Sequence, residues 1–74
     1  MSFRIEYDFP ARWAFDRIPW PRSATVDAIV QRFARERAPS LASRAYPLRG
    51  GGYRIAVRVD LPSRTVLVLH IEPL

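Results

Sequence analysis

Three side chains in the C-terminal half of the chain could carry acid–base or phosphate chemistry. Arg54 and Arg58 lie in one stretch of alternating residues, and His70 lies in the next. An arginine guanidinium is always charged and can hold a phosphate through two parallel hydrogen bonds. Histidine titrates near neutral pH, which makes His70 the first candidate for proton transfer. We therefore take these three residues as candidate catalytic residues.

The chemistry that this set could perform is metal-independent RNA cleavage. Attack by a ribose 2′-hydroxyl needs a group that removes its proton, a group that protonates the leaving oxygen, and cations that stabilise the phosphate. Arg54 and Arg58 could supply the cations, with Arg49 as a third. A second interpretation of His70 stays open, because a lone histidine in an apolar strand is often a packed or edge residue.

The residues around this set include four candidates for binding nucleic acid: Arg44, Tyr46, Arg49 and Tyr53. Tyrosine rings can stack on the bases of single-stranded RNA, and arginines bind its phosphates. Tyr46 and Tyr53 occupy strand positions, where packing against a core is the alternative role.

Two tryptophans, Trp13 and Trp20, are candidates for binding a protein partner. Trp13 falls outside the apolar stripe of the first predicted helix, so we expect its side chain to be exposed. Exposed tryptophan is enriched at the centres of protein interfaces. Arg12, Arg17 and Arg22 surround the same corner, either as a solvated face or as a site for phosphates.

The composition favours an anionic partner. All twelve basic residues are arginines, against seven acidic residues, and the formal net charge is +5. A positive potential on so small a surface attracts nucleic acid or an acidic protein. GC-rich codon usage is an alternative source of the arginine bias. The 74 residues suffice for a single domain, residues 1–74, with a thin core.

Several classes of site lack a basis in the sequence. The chain has no cysteine, which excludes disulfides and thiolate metal sites. It also has no P-loop, no HExxH pattern and no calcium-loop pattern, so we expect no metal and no cofactor. The N-terminal residues alternate in polarity, unlike a secretory signal or a membrane span. We expect a cytoplasmic protein without membrane association.

The N-terminal half predicts one strand and two helices. Residues 3–7 alternate in polarity, as in a half-buried strand. A short helix should begin at Pro10 and end near Arg17, because prolines follow at positions 19 and 21. Ser23 is the predicted N-cap of a second helix that ends before Pro39. Its apolar stripe comprises Val26, Ile29, Val30 and Phe33.

The C-terminal half predicts three strands. Residues 42–48 have weak strand character, and Pro47 confines them to a sheet edge. Gly50–Gly52 predicts a hairpin turn. Residues 53–60 alternate between an apolar face and a face with two arginines, and residues 65–71 read as a central strand covered on both faces. We expect an α+β fold, β-α-α-β-β-β, with a helical hairpin packed on one face of a small, mostly antiparallel sheet and the first strand parallel to a later one.

This order of elements resembles the RelE/ParE family of type II toxin–antitoxin toxins. The run LRGGGYRIAVRVDLPSRTVLVLHI, Leu48 to Ile71, is similar to the family's Gly-Tyr-Arg strand, Asp-containing turn and last strand. The predicted helix pair, Ala11 to Glu36, lies where the family has its helical hairpin. The resemblance implies that Arg54, in the Gly-Tyr-Arg position, stabilises a phosphate.

The resemblance implies a toxin that inhibits translation by cleaving messenger RNA on the ribosome. An acidic or amphipathic antitoxin would cover its basic sheet face. Cleaving members often carry a basic pair on the preceding strand and another pair, followed by a tyrosine, beyond the last strand. This chain has Ala45 and Pro47 at the first place and Ile71-Glu72-Pro73-Leu74 at the second.

These departures motivate an alternative function. The chain could be a non-catalytic relative that binds a partner, either DNA gyrase, as in the ParE branch, or a protein that it regulates or supports. A small accessory subunit whose charge reflects codon usage alone is a third interpretation.

Overall fold

The computed structural model describes residues 2–74. Within them, four strands and two α-helices follow one another in the predicted order β-α-α-β-β-β, which confirms the α+β class. The elements are β1 (Arg4–Tyr7), α1 (Phe9–Asp16), α2 (Arg22–Glu36), β2 (Ala45–Gly50), β3 (Tyr53–Asp60) and β4 (Thr65–Pro73). A short 3-10 helix, Ala38–Ser40, follows α2 and is absent from the sequence prediction.

Helix α1 begins at an acidic cap. The backbone of Asp8 is extended, and its carboxylate accepts a hydrogen bond from the Phe9 amide at 2.9 Å. Pro10 lies in the first turn, where its missing N–H needs no partner. The helix ends at Asp16, close to the predicted end. Its inner side contributes Ala11, which is fully buried, to the core.

The prediction that Ser23 caps α2 is wrong. The helix begins at Arg22 with Pro21 as its cap residue, and no side chain makes a capping hydrogen bond. The Thr25 amide, which a Ser23 hydroxyl cap would have bound, donates to the Pro21 carbonyl at 3.2 Å. The backbone therefore satisfies this donor, and a hydroxyl cap is not required.

The sheet has the strand order β1-β4-β3-β2. Strand β1 pairs with β4 in parallel, and the two other pairs are antiparallel, as the sequence predicts. Strand β2 lies at the edge, which confirms the interpretation of Pro47. It begins three residues later than predicted and extends to Gly50, which pairs with Tyr53 across the hairpin turn.

The core lies between the two helices and one face of the sheet. Its fully buried side chains include Val26 and Val30 from α2 and Ile55, Val57, Val59, Val66 and Val68 from β3 and β4. The helices leave the second face of the sheet uncovered. The prediction that β4 is covered on both faces is therefore wrong: it is a central strand, but Leu67 is only partly buried and His70 is exposed.

The glycine turn between β2 and β3 packs closely against α2. A Cβ atom on Gly50 would lie 2.5 Å from the Ile29 Cδ1 atom. Gly51 has a φ of +60°, and a Cβ there would lie 3.0 Å from Thr25 Cγ2. The left-handed backbone favours glycine at position 51, and an added Cβ at position 50 would force the Ile29 side chain to move.

Candidate nucleic-acid interface

The uncovered face of the sheet carries the predicted catalytic residues. The register pairs Arg54 with Glu72, Ala56 with His70 and Arg58 with Leu67, while Arg49 is opposite Arg54 on β2. Paired residues point to the same face of a sheet. We call this surface the open face and define it by Arg49, Arg54, Arg58, His70 and Glu72. It unites the three candidate catalytic residues with one of the four nucleic-acid candidates.

His70 reaches the open face because β4 contains a bulge. The register between β3 and β4 shifts between Ala56 and Val57, and Leu69 is left without a partner. Val68 is buried, so if side chains alternated strictly from Val68 onward, the side chain of His70 would point into the core. The extra residue reverses the alternation, so that His70 is exposed and Ile71 is buried.

A carboxylate lies between two of the candidate catalytic residues, Arg54 and His70. Glu72 Oε1 is 3.2 Å from Arg54 Nη1, and Glu72 Oε2 is 3.4 Å from His70 Nε2. All three side chains are about half exposed. Sequence reasoning noted Glu72 only as a departure from the family's terminal pair. Glu72 follows His70 by two residues, and this spacing indicates that the two side chains lie on the same face of a strand.

Arg49 and Arg58 have no ion-pair partner in the described part of the chain. Arg58 lies near the middle of the face, between Ala45 on β2 and Leu67 on β4. At the β1 side, Arg4 is neutralised by Glu6 at 2.9 Å. Free positive charge on the open face is therefore concentrated at Arg49 and Arg58, which can bind an anion without breaking a contact.

The remaining nucleic-acid candidates face the helices instead. The Tyr46 ring lies 6.1 Å from the Phe33 ring, and its hydroxyl donates to the Ala42 carbonyl at 2.8 Å. The Arg44 guanidinium lies 5.2 Å from the centre of the Tyr46 ring. Tyr53 is half-buried and packs against the core. The structure thus separates Arg44, Tyr46 and Tyr53 from the open face.

The two tryptophans lie on the helical side of the molecule. Trp13 is 56% exposed, which confirms the prediction, and Trp20 is 80% exposed. Phe9, at 77%, is also exposed and was not singled out in the sequence. The Arg17 guanidinium lies 4.2 Å from the Trp13 ring centre. Neither tryptophan belongs to the open face.

A groove of about 960 Å³ runs between α2 and the edge strand β2. Ile29, Phe33 and Leu48 form its apolar floor, and Arg32 and Arg49 are among the charged residues at its rim. No local pattern in the sequence predicts this groove, because a groove depends on how a helix packs beside a strand.

One titratable group between the sheet and the helices, Tyr7 on β1, has a strongly altered pKa. Burial raises the pKa of Tyr7 to about 12, and the Asp27 carboxylate beside it acts in the same direction. The Tyr7 hydroxyl donates to Asp27 Oδ1 at 3.4 Å, so the pair links β1 to α2. This pair lies away from the open face and has a structural role.

No group of three or more potential metal ligands occurs in residues 2–74. None of the helices in this range is both long and apolar enough to cross a membrane.

Solved structures share this architecture at low sequence identity. The isolated E. coli RelE toxin gives a TM-score of 0.81 at 14% identity, over 97% of this chain and 84% of that chain. A RelBE toxin–antitoxin complex from Mycobacterium tuberculosis gives 0.80 at 20% identity, over 100% and 93%. The archaeal RelE–RelB complex from Pyrococcus horikoshii gives 0.70 at 17% identity, over 99% and 96%.

No protein-family model and no curated protein matches the sequence. The likeness is therefore one of backbone architecture, and it covers nearly the whole of both chains in each comparison. It confirms, at the level of the fold, the resemblance that the glycine turn and the last two strands indicate. This chain has the fold of the RelE toxins.

Proposed function

We propose that this chain is the toxin of a type II toxin–antitoxin pair and that its open face binds RNA. The observation that carries the proposal is the position of Arg49, Arg54 and Arg58 on the one sheet face that the helices leave uncovered. Phosphate contacts by arginine supply most of the affinity for nucleic acid. The fold shared with RelE toxins supports the same assignment.

The proposed activity is cleavage of messenger RNA during translation. Arg58 is free to hold the scissile phosphate, and Arg54 joins it when the phosphate displaces Glu72. His70 then removes the proton of the 2′-hydroxyl, whose oxygen bonds to the phosphorus as the bond to the 5′ oxygen breaks, and a water molecule protonates that leaving oxygen. Glu72 orients the imidazole ring through its contact at 3.4 Å. No metal is needed, because the arginines stabilise the developing charge on the phosphate.

The proposed partner is an acidic or amphipathic antitoxin in the cytoplasm. Solved structures with this fold include RelE bound to RelB. A net charge of +5 favours association with a protein of opposite charge. An antitoxin segment that covers Arg49 and Arg58 would compete directly with RNA for the open face.

A second candidate function is binding without cleavage, to DNA gyrase or to another protein. One observation favours it: a single carboxylate, Glu72, engages both Arg54 and His70. The acid–base group and one of the cations are thus held together in the free protein. A chain that never releases them would bind a partner through Arg49 and Arg58 alone.

Expression in bacteria separates these functions. The chain and its Arg58→Gln variant are induced, and growth is followed together with pulse labelling of new protein and new DNA. We expect growth to stop with a rapid fall in protein synthesis, and Arg58→Gln to relieve the arrest. Arg64→Gln, which removes the same charge from the turn between β3 and β4, is the matched control and should arrest growth as the wild type does.

Other outcomes have definite meanings. A fall in DNA synthesis with sustained protein synthesis would support gyrase as the target. Unimpeded growth, with the protein present in the soluble fraction, would contradict the toxin function. Primer extension on messenger RNA bound to purified ribosomes then tests cleavage directly, and the absence of new 5′ ends would contradict the proposed ribonuclease activity.

A further inference from the structure

The outer side of α1 presents two large aromatic side chains to solvent. Phe9 and Trp13 are four residues apart, a spacing that places them on the same side of a helix. They are 77% and 56% exposed, whereas Ala11 on the opposite side is fully buried. We call this surface the aromatic ridge and define it by Phe9 and Trp13 with the flanking Arg12 and Arg17.

The fold itself does not require these aromatic residues. Helix α1 is anchored on its inner side by Ala11 and Phe15 and is capped by Asp8. Aromatic residues are weaker helix formers than alanine, glutamate or arginine, so local helix stability does not favour Phe9 or Trp13 at exposed positions. A cluster of exposed apolar side chains on a small domain marks a surface that binds something.

The arginines beside the ridge are already held in place. The Arg17 guanidinium lies 4.2 Å from the centre of the Trp13 ring, and that of Arg12 lies 5.7 Å from the centre of the Tyr7 ring. Neither arginine has an ion-pair partner within residues 2–74. Cations ordered in this way lose little entropy on binding, and they match carboxylates on either side of an apolar stripe.

Three classes of occupant can be compared on charge. A nucleic-acid strand along the ridge would meet the carboxylates of Asp8 and Asp16, which stand at its two ends and repel phosphate. If a second copy of the chain bound there, Arg12 and Arg17 of one molecule would face the same arginines of the other. Each molecule also carries a net charge of +5, so the two copies repel each other. A protein helix can place carboxylates only at the positions that face Arg12 and Arg17 and uncharged residues at those that face Asp8 and Asp16, whereas a nucleic-acid strand has a phosphate at every nucleotide.

We propose that the aromatic ridge is a docking surface for an acidic amphipathic helix of a partner protein. Apolar residues of that helix pack around Phe9 and Trp13, and its carboxylates bind Arg12 and Arg17. Tryptophan and arginine are the residues that most often dominate such contacts. The inference stands apart from the proposed RNA-binding function, because α1 packs on the covered face of the sheet.

The test uses the full chain with Trp20→Phe, which leaves Trp13 as its single tryptophan. The probe is a synthetic amphipathic helical peptide with leucine on one face and glutamate on the other. A matched peptide carries lysine in place of glutamate. We expect the acidic peptide to shift the Trp13 emission to shorter wavelength and to bind at least roughly tenfold more tightly than the basic one.

Variants of the ridge complete the test. Phe9→Ala and Arg17→Gln, measured by calorimetry, should each weaken binding of the acidic peptide by roughly tenfold. Arg64→Gln, in the turn between β3 and β4, should leave it unchanged. The proposal is overturned if the acidic peptide produces no shift, if both peptides bind equally well, or if an oligouridylate shifts the emission in place of the peptide. Circular dichroism verifies that each variant remains folded.

Discussion

The open face and the aromatic ridge use the same residue type in different ways. On the open face, Arg49 and Arg58 are exposed and take part in no ion pair within residues 2–74. On the ridge, Arg17 lies over the ring of Trp13 and extends an apolar surface. The first arrangement attracts a polyanion and weakens as salt rises, while the second depends on buried apolar area. An arginine-rich composition therefore does not define a single binding surface.

The largest effect that would sharpen this contrast is loss of RNA affinity when the open face is neutralised. The triple variant Arg49→Gln, Arg54→Gln and Arg58→Gln removes three phosphate-binding groups. Because each arginine contributes about 1 kcal/mol to binding, the affinity for a single-stranded oligoribonucleotide should fall roughly a hundredfold at low salt. The slope of log affinity against log salt should become shallower by about 2, since each contact contributes about 0.7. Fluorescence anisotropy at several salt concentrations measures both quantities.

A matched triple variant controls for net charge. Arg32→Gln, Arg35→Gln and Arg64→Gln remove the same charge from the helical side and from a turn. If this variant loses as much affinity as the open-face variant, the contrast between the two surfaces is broken and RNA binding reflects overall charge alone.

A gain of affinity should follow from Glu72→Gln. The substitution removes the carboxylate that holds both Arg54 and His70 and leaves the side-chain shape nearly unchanged. Because an exposed ion pair of this kind contributes at most about 1 kcal/mol, RNA affinity should rise roughly two- to fivefold. The same anisotropy titration detects it.

The control for that gain is Glu36→Gln, which removes a carboxylate paired with Arg32 and Arg35 on α2. It raises the net charge equally but lies outside the open face. Equal gains for the two variants would show that Glu72 has no local role in masking Arg54 and His70.

A smaller effect is expected from the ridge. Trp13→Ala removes an exposed side chain and its contact with Arg17. The free energy of unfolding should therefore fall by less than about 1 kcal/mol. RNA affinity should stay at the wild-type value. Urea denaturation and the anisotropy titration test the two statements. A large drop in RNA affinity would mean that both surfaces belong to one site.

The last expected effect concerns the layer between the two surfaces and is confined to alkaline pH. The pKa of Tyr7 is raised from 10.0 to about 12, so the unfolded chain ionises this tyrosine first. The stabilisation is complete below pH 10 and is lost as the pH rises towards about 12. Tyr7→Phe should reduce this alkaline decline in denaturation midpoint. An identical decline in the variant would exclude the Tyr7–Asp27 pair as its cause.

Much of the fold follows from local patterns in the sequence. Alternation over residues 53–60 defines both faces of β3, because side chains on a strand point alternately to opposite sides. Pro47 identifies the sheet edge, since it has no N–H for a second neighbour. These signals lie within a few residues of each other, and they place Arg54 and Arg58 on one surface without any knowledge of the tertiary structure.

What escaped prediction depends on contacts between distant segments. The role of Glu72 requires the pairing of β4 with β3, and in particular the register shift at Leu69. Tyr46 and Tyr53 have the residue type that binds RNA, but their position in the alternation turns them toward the helices. Ser23 has the residue type of a cap, but the helix begins one residue earlier and the Pro21 carbonyl already accepts from the Thr25 amide.

The bulge at Leu69 also bears on how such a chain can change over generations. Removing the Leu69 codon would eliminate the bulge and keep His70 and Glu72 on the open face, because Val68 and His70 would then be consecutive residues that point to opposite sides. A relative could thus have one residue fewer at this point and still present the same pair. A comparison of the two sequences without a gap would place the pair on the wrong face.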